Sequence, residues 1–320
     1  MQNKPGGVLP SASGYQVYNA LNTPIYAKAF LARFYADSIA GSITSQDIIP
    51  AELKQCGDQV TFRVAPVGEI FDYINNQDLE VSTLNTELKT MVVKRGKYWN
   101  LKLSYVDEKR TCNIKEYVNE FMENSTLLLR QHIDREILTE VPLLADPYNK
   151  GIKAGIKSGA YNLGQLGQPV ALNKETILTK LSHLSTVLDE QNVPEKGRYV
   201  VLPTMAKTLF YTNPLLNNAC AAGTGKAILL SQQFLDVAGF KVYFTNNMPM
   251  YFDPQVNKQT FLILAGFKDA VGFITQLTNQ EVIDKDPRSF DKYWRGLTIY
   301  DFDVLTPEKL AVLYATIEIE

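Results

Sequence analysis

Histidine, the side chain best suited to acid–base chemistry near neutral pH, is scarce in this chain of 320 residues. Its two histidines are His132 and His183, so a catalytic triad, a general base or a histidine-based metal site would have to use one of them. His132 falls on the apolar face of a predicted helix, which favours a packed side chain. His183 lies off the apolar stripe of its own helix, which favours solvent. Neither position favours catalysis.

Two other patterns deserve comparison with known chemistry. The stretch Cys220–Ala227 resembles a phosphate-binding loop, but that loop needs glycine where Cys220 stands and Ser or Thr where Ala227 stands. Asp301 and Asp303 project from one face of a predicted strand and could share a metal or a proton, although a solvated strand face is the simpler interpretation. We therefore predict no catalytic residue, no cofactor and no metal, and we expect that the protein is not an enzyme.

Composition restricts the classes of partner. The net charge is −2 and the isoelectric point is near 5.9, so tight DNA binding is not expected, while weak nonspecific contact with DNA remains permitted. The three dispersed cysteines indicate neither a disulfide framework nor a zinc site, which favours a reducing compartment. The sequence has no signal-peptide pattern and no apolar run near the ~18 residues that span a bilayer. We expect production in cytoplasm and no membrane partner.

The elements that would position any site are predicted from periodicity. Residues 1–14 are rich in Pro, Gly and Ser and predict a mobile arm, and Thr23-Pro24 begins a helix that runs to about Ile39. A long helix over about Asn113–Thr139 would measure about 35–40 Å at 1.5 Å per residue. Residues 147–172 predict a loop with short strands.

Further elements follow along the chain. A helix from Asn173 to about Asn192 has Ile177, Leu181, Leu184 and Leu188 on one face. The strand Arg198–Leu202 is followed by Pro203 and a short helix. Apolar runs follow at Lys241–Thr245 and Phe261–Leu264, and C-terminal strands are predicted at Leu297–Val304 and Leu310–Ile319.

Two stretches with a period of two predict an extended β-hairpin. Val60 and Phe62 alternate with polar residues, as do the apolar residues of Trp99–Tyr105. Between these stretches Thr90–Val93 is strand-like, and a turn at Arg95-Gly96 would give a hairpin over about Lys89–Tyr105. Because an isolated hairpin is marginal in water, its apolar face must be covered either by its own domain or by another chain.

Seven stretches together resemble the major capsid protein of tailed bacteriophages, whose fold is shared with encapsulins and the herpesvirus capsid floor. In chain order they are FYADSIAGSI, CGDQVTFRVAP, YWNLKLSYVDEKR, QHIDREIL, VPEKGRYVVLPTMAKTLF, VAGFKVYFTNNMP and RGLTIYDFDVLTPEKLAVLYATIE. The resemblance extends from about Phe30 to Ile319.

The resemblance implies an α+β fold, the tailed-phage major capsid protein fold or Johnson fold. It implies an N-terminal arm at 1–50 and an extended β-hairpin loop region at 51–112. A peripheral domain with the spine helix and the C-terminal strands would comprise 113–172 and 265–320. Residues 173–264 would form mainly the axial domain.

The resemblance also implies a structural protein of the virion. Copies would self-assemble, in host cytoplasm, into hexamers and pentamers of an icosahedral head shell around packaged double-stranded DNA. A scaffolding protein, a portal and a decoration protein would be partners. The residues expected at the interface between subunits are Val60, Phe62, Trp99, Leu101, Leu103, Phe30 and Phe34.

Two alternatives to a phage head shell stay open. An encapsulin-like compartment has the same fold but encloses an enzyme cargo. A soluble α/β enzyme would have its site in the loop at 147–172.

Overall fold

A computed structural model of the chain describes residues 39–45, 59–63, 71–72, 88–104, 114–213, 236–283 and 291–318. Its α-helices are α1 (Ile39–Ile43), α2 (Ile114–Glu140), α3 (Thr176–Glu190) and α4 (Ala206–Thr212). Its strands are β1 (Gln59–Arg63), β2 (Leu88–Val92), β3 (Arg95–Leu103), β4 (Val170–Leu172), β5 (Arg198–Pro203), β6 (Asp236–Val237), β7 (Phe240–Thr245), β8 (Met250–Asp253), β9 (Lys258–Phe267), β10 (Val271–Ile283), β11 (Lys292–Val304) and β12 (Leu310–Ile317).

The strands of the described residues form three sheets. Strands β1 and β2 form an antiparallel two-stranded ribbon, and β10, β11 and β3 form an antiparallel sheet in that order. The largest sheet has the order β4-β12-β9-β5-β7-β6, with β8 paired to β9. It is mixed, because β5 is parallel to β7 and antiparallel to β9.

The long helix forms where the sequence predicts it. Helix α2 runs from Ile114 to Glu140 and passes directly into a 3-10 turn that contains Pro142, which cannot continue the α-helical hydrogen bonding. The predicted apolar face is wrong in part, because Leu129 on it is buried but Leu128 is 58% exposed and His132 is also exposed. Among the side chains described from residue 120 onward, those of the helix that are buried are Met122, Thr126, Leu129, Ile133, Asp134, Ile137 and Leu138.

The segment from α3 to α4 confirms the prediction closely. The four apolar side chains predicted for one face of α3 are all buried, and the strand β5 is buried along its whole length. At its start, the buried Arg198 guanidinium donates to the Asp189 carboxylate at 2.6 Å and to the Pro194 carbonyl at 3.0 Å. These bonds tie the preceding turn to α3. Strand β5 ends at Pro203, and α4 begins three residues later.

The predicted hairpin over Lys89–Tyr105 is wrong in its pairing. Strand β2 pairs with β1, and β3 pairs with β11 along nine residues from Arg95 to Leu103. The expected turn residues Arg95 and Gly96 are therefore the first residues of β3. The physical reason is that β11 offers β3 a long partner that is distant in sequence, which local turn chemistry cannot reveal.

The seven-stranded sheet crosses the predicted domain boundary. Strand β12 lies between β4 and β9, and it is hydrogen-bonded to β9 from Leu310 to Ala315. The division into 113–172 plus 265–320 and 173–264 would separate β12 from most of that sheet. Where the two domains meet therefore stays a prediction.

Candidate subunit interface

The ribbon of β1 and β2 is a separate two-stranded sheet. Its register places Val60 opposite Met91 and Phe62 opposite Lys89. Met91 is buried at 4% exposure, while the side chains of Val60 and Phe62 lie outside the described part of the chain. A two-stranded ribbon is marginal in water by itself, so its faces need cover from elsewhere.

The face of β3 that holds Trp99 packs against the chain's own core. The Trp99 ring meets Trp294 edge to face at 5.0 Å and Phe121 at 5.6 Å, measured between ring centroids. It also lies over Gly296, where an added Cβ would come within 2.2 Å of the indole. Such aromatic pairs contribute about 0.5–1.5 kcal/mol beyond area burial.

Leu101 and Leu103 lie on this same face of β3 and pack against the core as well. Trp99, Leu101 and Leu103 are therefore partly buried within the chain itself. Helix α2 and strand β11 of the same chain cover this face. Cover by the chain's own domain is one of the two alternatives that the sequence left open. Contact of these residues with a second chain stays untested.

The opposite face of the β3–β11 pair carries an apolar surface that the sequence analysis missed. Tyr98 is 80% exposed and lies directly across from Leu297, which is 37% exposed. Tyr293 and Ile299 project from the same face of β11 and are partly exposed. We call these four residues the Tyr98 face. The sequence did offer one signal of this surface, because Tyr98 is an aromatic residue on the face of β3 that otherwise carries Asn100 and Lys102.

Arg95 connects the end of the ribbon to the body of the protein. Its guanidinium binds Glu140 in a bidentate way, at 2.8 and 2.6 Å, and its Nε donates to Asp301 at 3.1 Å. Glu136 lies 3.4 Å from the guanidinium and 2.8 Å from the Lys97 ammonium. The guanidinium also lies 4.3 Å from the centre of the Phe302 ring. Two cations thus face three carboxylates.

The electrostatics of this cluster favour its charged form. Burial alone would raise the pKa of Glu136, but hydrogen bonds from Lys97 and Tyr300 and the charges of Lys97 and Arg95 lower it overall. The Tyr300 hydroxyl donates to Glu136 at 2.8 Å, and its pKa is raised by burial and by that carboxylate. The Glu140 hydrogen bond raises the pKa of Arg95.

The remaining residues singled out from the sequence do not come together as a catalytic site. His183 is half-buried against Tyr161, and its Nδ1 is buried without a hydrogen-bond partner among the described residues, which corrects the expected solvent exposure. Burial, and then Lys180, lower the pKa of His183. Asp301 is buried beside Arg95, which corrects the expected solvated face, and Asp303 accepts from the Val304 amide.

Other predictions fall on residues that the structure does not describe. Phe30, Phe34, the helix from Thr23 and the loop Cys220–Ala227 lie outside the described ranges. Within those ranges, no three or more His, Cys, Asp or Glu side chains group in a way that could hold a metal ion. None of the described helices is both long and apolar enough to cross a bilayer.

Comparison with known proteins gives a clear result at the level of three-dimensional structure. No protein-family model and no curated protein match the sequence. The capsid structure of cyanophage P-SCSP1u is similar with a TM-score of 0.64 and 14% identity, covering 99% of this chain and 93% of that one. A chain from Mycobacterium phage Che8 has a TM-score of 0.61 and 15% identity, covering 87% of this chain and 91% of that one.

The mature capsid of bacteriophage PhiM1 is similar as well, with a TM-score of 0.60 and 12% identity, covering 88% of this chain and 87% of that one. At such low identities the likeness concerns the path of the backbone, and it extends over nearly the whole length of each chain. The chain therefore has the fold of the major capsid proteins of tailed bacteriophages.

Proposed function

We propose that this chain is a major capsid protein that assembles, through hexamers and pentamers, into an icosahedral head shell around double-stranded DNA. The observation that carries the proposal is the likeness to the P-SCSP1u capsid structure, which covers 99% of this chain and 93% of that one. A match of whole chain to whole chain supports a shared architecture, rather than one common domain inside a different protein.

The exposed Tyr98 face and the two-stranded ribbon fit a subunit that is completed by its neighbours. We propose that the Tyr98 face and the β1–β2 ribbon, including Val60 and Phe62, contact adjacent subunits. Burial of a large apolar side chain such as Tyr98 would contribute about 1.5–3 kcal/mol. One such contact is weak, but a subunit held by several neighbours at once is retained far more strongly than any single contact would suggest.

The domains follow the sheets in this proposal. Helix α2 and the sheet β10-β11-β3 would form the peripheral domain, and the seven-stranded sheet, including β12, would form the axial domain. This assigns β12 to the axial domain, whereas the boundary expected from the sequence put it in the peripheral domain. The reason is that β12 is hydrogen-bonded to β9 within the large sheet. Phe30 and Phe34 remain interface candidates within the arm.

The protein would be a component of the virion that assembles in host cytoplasm. A scaffolding protein, a portal and a decoration protein are proposed partners, with weak nonspecific contact to the packaged DNA. The mildly acidic net charge of −2 supports weak rather than tight contact, because few counterions would be released on binding. In this role the chain acts by binding and is not an enzyme.

Electron microscopy of the purified protein tests the proposal. We expect closed shells of uniform diameter from protein expressed alone or together with its neighbouring genes. Particles that hold DNA would support a head shell, whereas particles that hold a specific enzyme would support the encapsulin-like alternative. A protein that stays monomeric at high concentration, in both expression formats, would contradict every shell function.

A further inference from the structure

The connection between the ribbon and the body of the protein is short and tightly bonded. Strand β2 ends at Val92 and β3 begins at Arg95, so two residues join them. The Lys94 amide donates to Asp301 Oδ2 at 3.1 Å, and the Arg95 Nε donates to Asp301 Oδ1 at 3.1 Å. One carboxylate on β11 therefore holds both the last residue of the connection and the first residue of β3.

The same arginine extends this attachment to the spine helix. Its Nη1 and Nη2 donate to the two oxygens of Glu140, the last residue of α2, at 2.8 and 2.6 Å. A bidentate pair of this kind fixes orientation as well as distance, because the planar guanidinium fork matches the carboxylate. A lysine at position 95 would supply the charge without that orientation.

The charges make Arg95 indispensable to the cluster. With Arg95 and Lys97 present, two positive charges oppose the negative charges of Glu136, Glu140 and Asp301. Without Arg95, three carboxylates would face one ammonium group. Like charges at short range in a partly buried site repel. Loss of Arg95 would therefore weaken the attachment of Glu140 and Asp301 to the start of β3, while Tyr300 and Lys97 would still bind Glu136.

We propose that Arg95 is the positioning residue that fixes the direction in which the β1–β2 ribbon leaves the body, and that it thereby sets the geometry of contact with the neighbouring subunit. The second half of this inference rests on the proposed shell function, and the first half does not. Because two residues join β2 to β3, a rotation at Arg95 would change the direction of β2.

The test compares Arg95→Ala and Arg95→Lys in the full-length protein. Amide hydrogen exchange at Lys94 reports the anchor directly, since its N–H is bonded to Asp301. We expect about a tenfold loss of protection there in Arg95→Ala, an intermediate loss in Arg95→Lys, and unchanged protection in the buried half of α2 around Ile133. Electron microscopy should reveal absent or irregular shells for Arg95→Ala and partial rescue for Arg95→Lys.

Lys258→Ala provides the matched control, because Lys258 also forms an ion pair, with Glu318 at 2.6 Å, but it lies on β9, outside the sheet that contains Arg95 and the Tyr98 face. It should exchange and assemble as the unsubstituted protein does. If Arg95→Ala fails to fold, Glu140→Gln, which keeps the size of the side chain but removes its charge, gives the same readout at Lys94.

The outcomes separate the two proposals. Protection at Lys94 that stays unchanged in Arg95→Ala, or in Glu140→Gln where that variant replaces it, would overturn the anchor. Regular shells from a variant that has lost this protection would overturn its effect on assembly. If the unsubstituted protein forms no shells, the proposed function fails, while the exchange result at Lys94 still decides whether Arg95 holds the ribbon.

Discussion

At the scale of single residues, Gly164 has a role that no side chain could fill. Its φ is +78°, and a Cβ placed there would lie 2.2 Å from the Tyr314 carbonyl oxygen on β12. Next to it, the Leu163 carbonyl accepts from the Tyr314 amide at 2.8 Å. The absence of a side chain therefore lets the loop after α2 lie directly against the last strand of the large sheet.

Gly159 in the same loop allows a matched test of that role. It also has a positive φ, +54°, but an added Cβ would meet no atom within 4 Å. We expect Gly159→Ala to cost about 1 kcal/mol of unfolding free energy, from backbone strain alone. Gly164→Ala should cost about 3 kcal/mol or more, because a backbone carbonyl must move as well. Equal costs in urea unfolding would contradict the predicted clash.

The residue scale is also where sequence reasoning was weakest. Asp301 was expected on a solvated face because its bonding partner Arg95 is 206 positions away, and periodicity carries no information about such a partner. His132 was placed on the packed face of α2 because the helix offers two adjacent apolar stripes. Only the sheet packed beneath it decides that Leu129 and Ile133 are buried while Leu128 is exposed.

At the scale of elements, adjacent residues on β3 have opposite environments and should behave oppositely. Trp99→Ala removes the ring that packs on Trp294 and Phe121, so we expect a loss of about 2–4 kcal/mol in unfolding free energy. Tyr98→Ala should change it by less than about 0.5 kcal/mol, since the side chain is 80% exposed.

Shell assembly, unlike subunit stability, should depend strongly on Tyr98. Tyr98→Asp is expected to lower the yield of shells while the subunit keeps its unfolding midpoint and its circular dichroism spectrum. Tyr98→Phe, which keeps the ring, serves as the control and should assemble. Full shell yield from Tyr98→Asp would show that the Tyr98 face does not contact neighbours.

Most elements could be predicted because their signals are local. The apolar stripe of α3, the buried run of β5 and the alternation in β11 each lie within one short window of sequence. Strand pairing could not be predicted in the same way. The sequence contains a plausible turn at Arg95-Gly96, but the nine-residue ladder between β3 and β11 joins segments about 200 residues apart. Such pairing depends on the whole fold.

At the scale of the whole molecule, two carboxylates hold the long loop at 147–172 to the body. Glu190 on α3 accepts from the Lys157 and Ser158 amides at 2.8 and 3.1 Å. Asp253 at the end of β8 accepts from the Gly167 amide at 2.6 Å and from the Tyr314 hydroxyl at 3.1 Å. These two carboxylates thus attach the loop to α3 and to β8.

Both carboxylates have a pKa below the ordinary value. The hydrogen bond from Ser158 lowers the pKa of Glu190 most, with further lowering by the Lys157 and Ser158 amides, against a smaller opposing effect of burial. For Asp253, burial would raise the pKa, but the amides of Gly167 and Gln255 and the Tyr314 hydroxyl lower it overall. Since the folded state prefers the ionised form of each group, both stabilise the fold when they are ionised.

Acid should therefore release this loop before it unfolds the rest of the protein. The stabilisation is complete above the ordinary pKa values of 4.5 for Glu190 and 3.8 for Asp253, and it is lost as the pH falls through the lower folded values. We expect the urea concentration at the unfolding midpoint to decrease when the pH falls below about 4, with amide protection at Lys157 and Gly167 lost first.

The double variant Glu190→Gln, Asp253→Asn should be less stable at pH 7, and its stability should depend less on pH, because it lacks both titrating groups. A double variant with the same pH dependence as the unsubstituted protein would assign acid sensitivity to other carboxylates, such as those around Arg95.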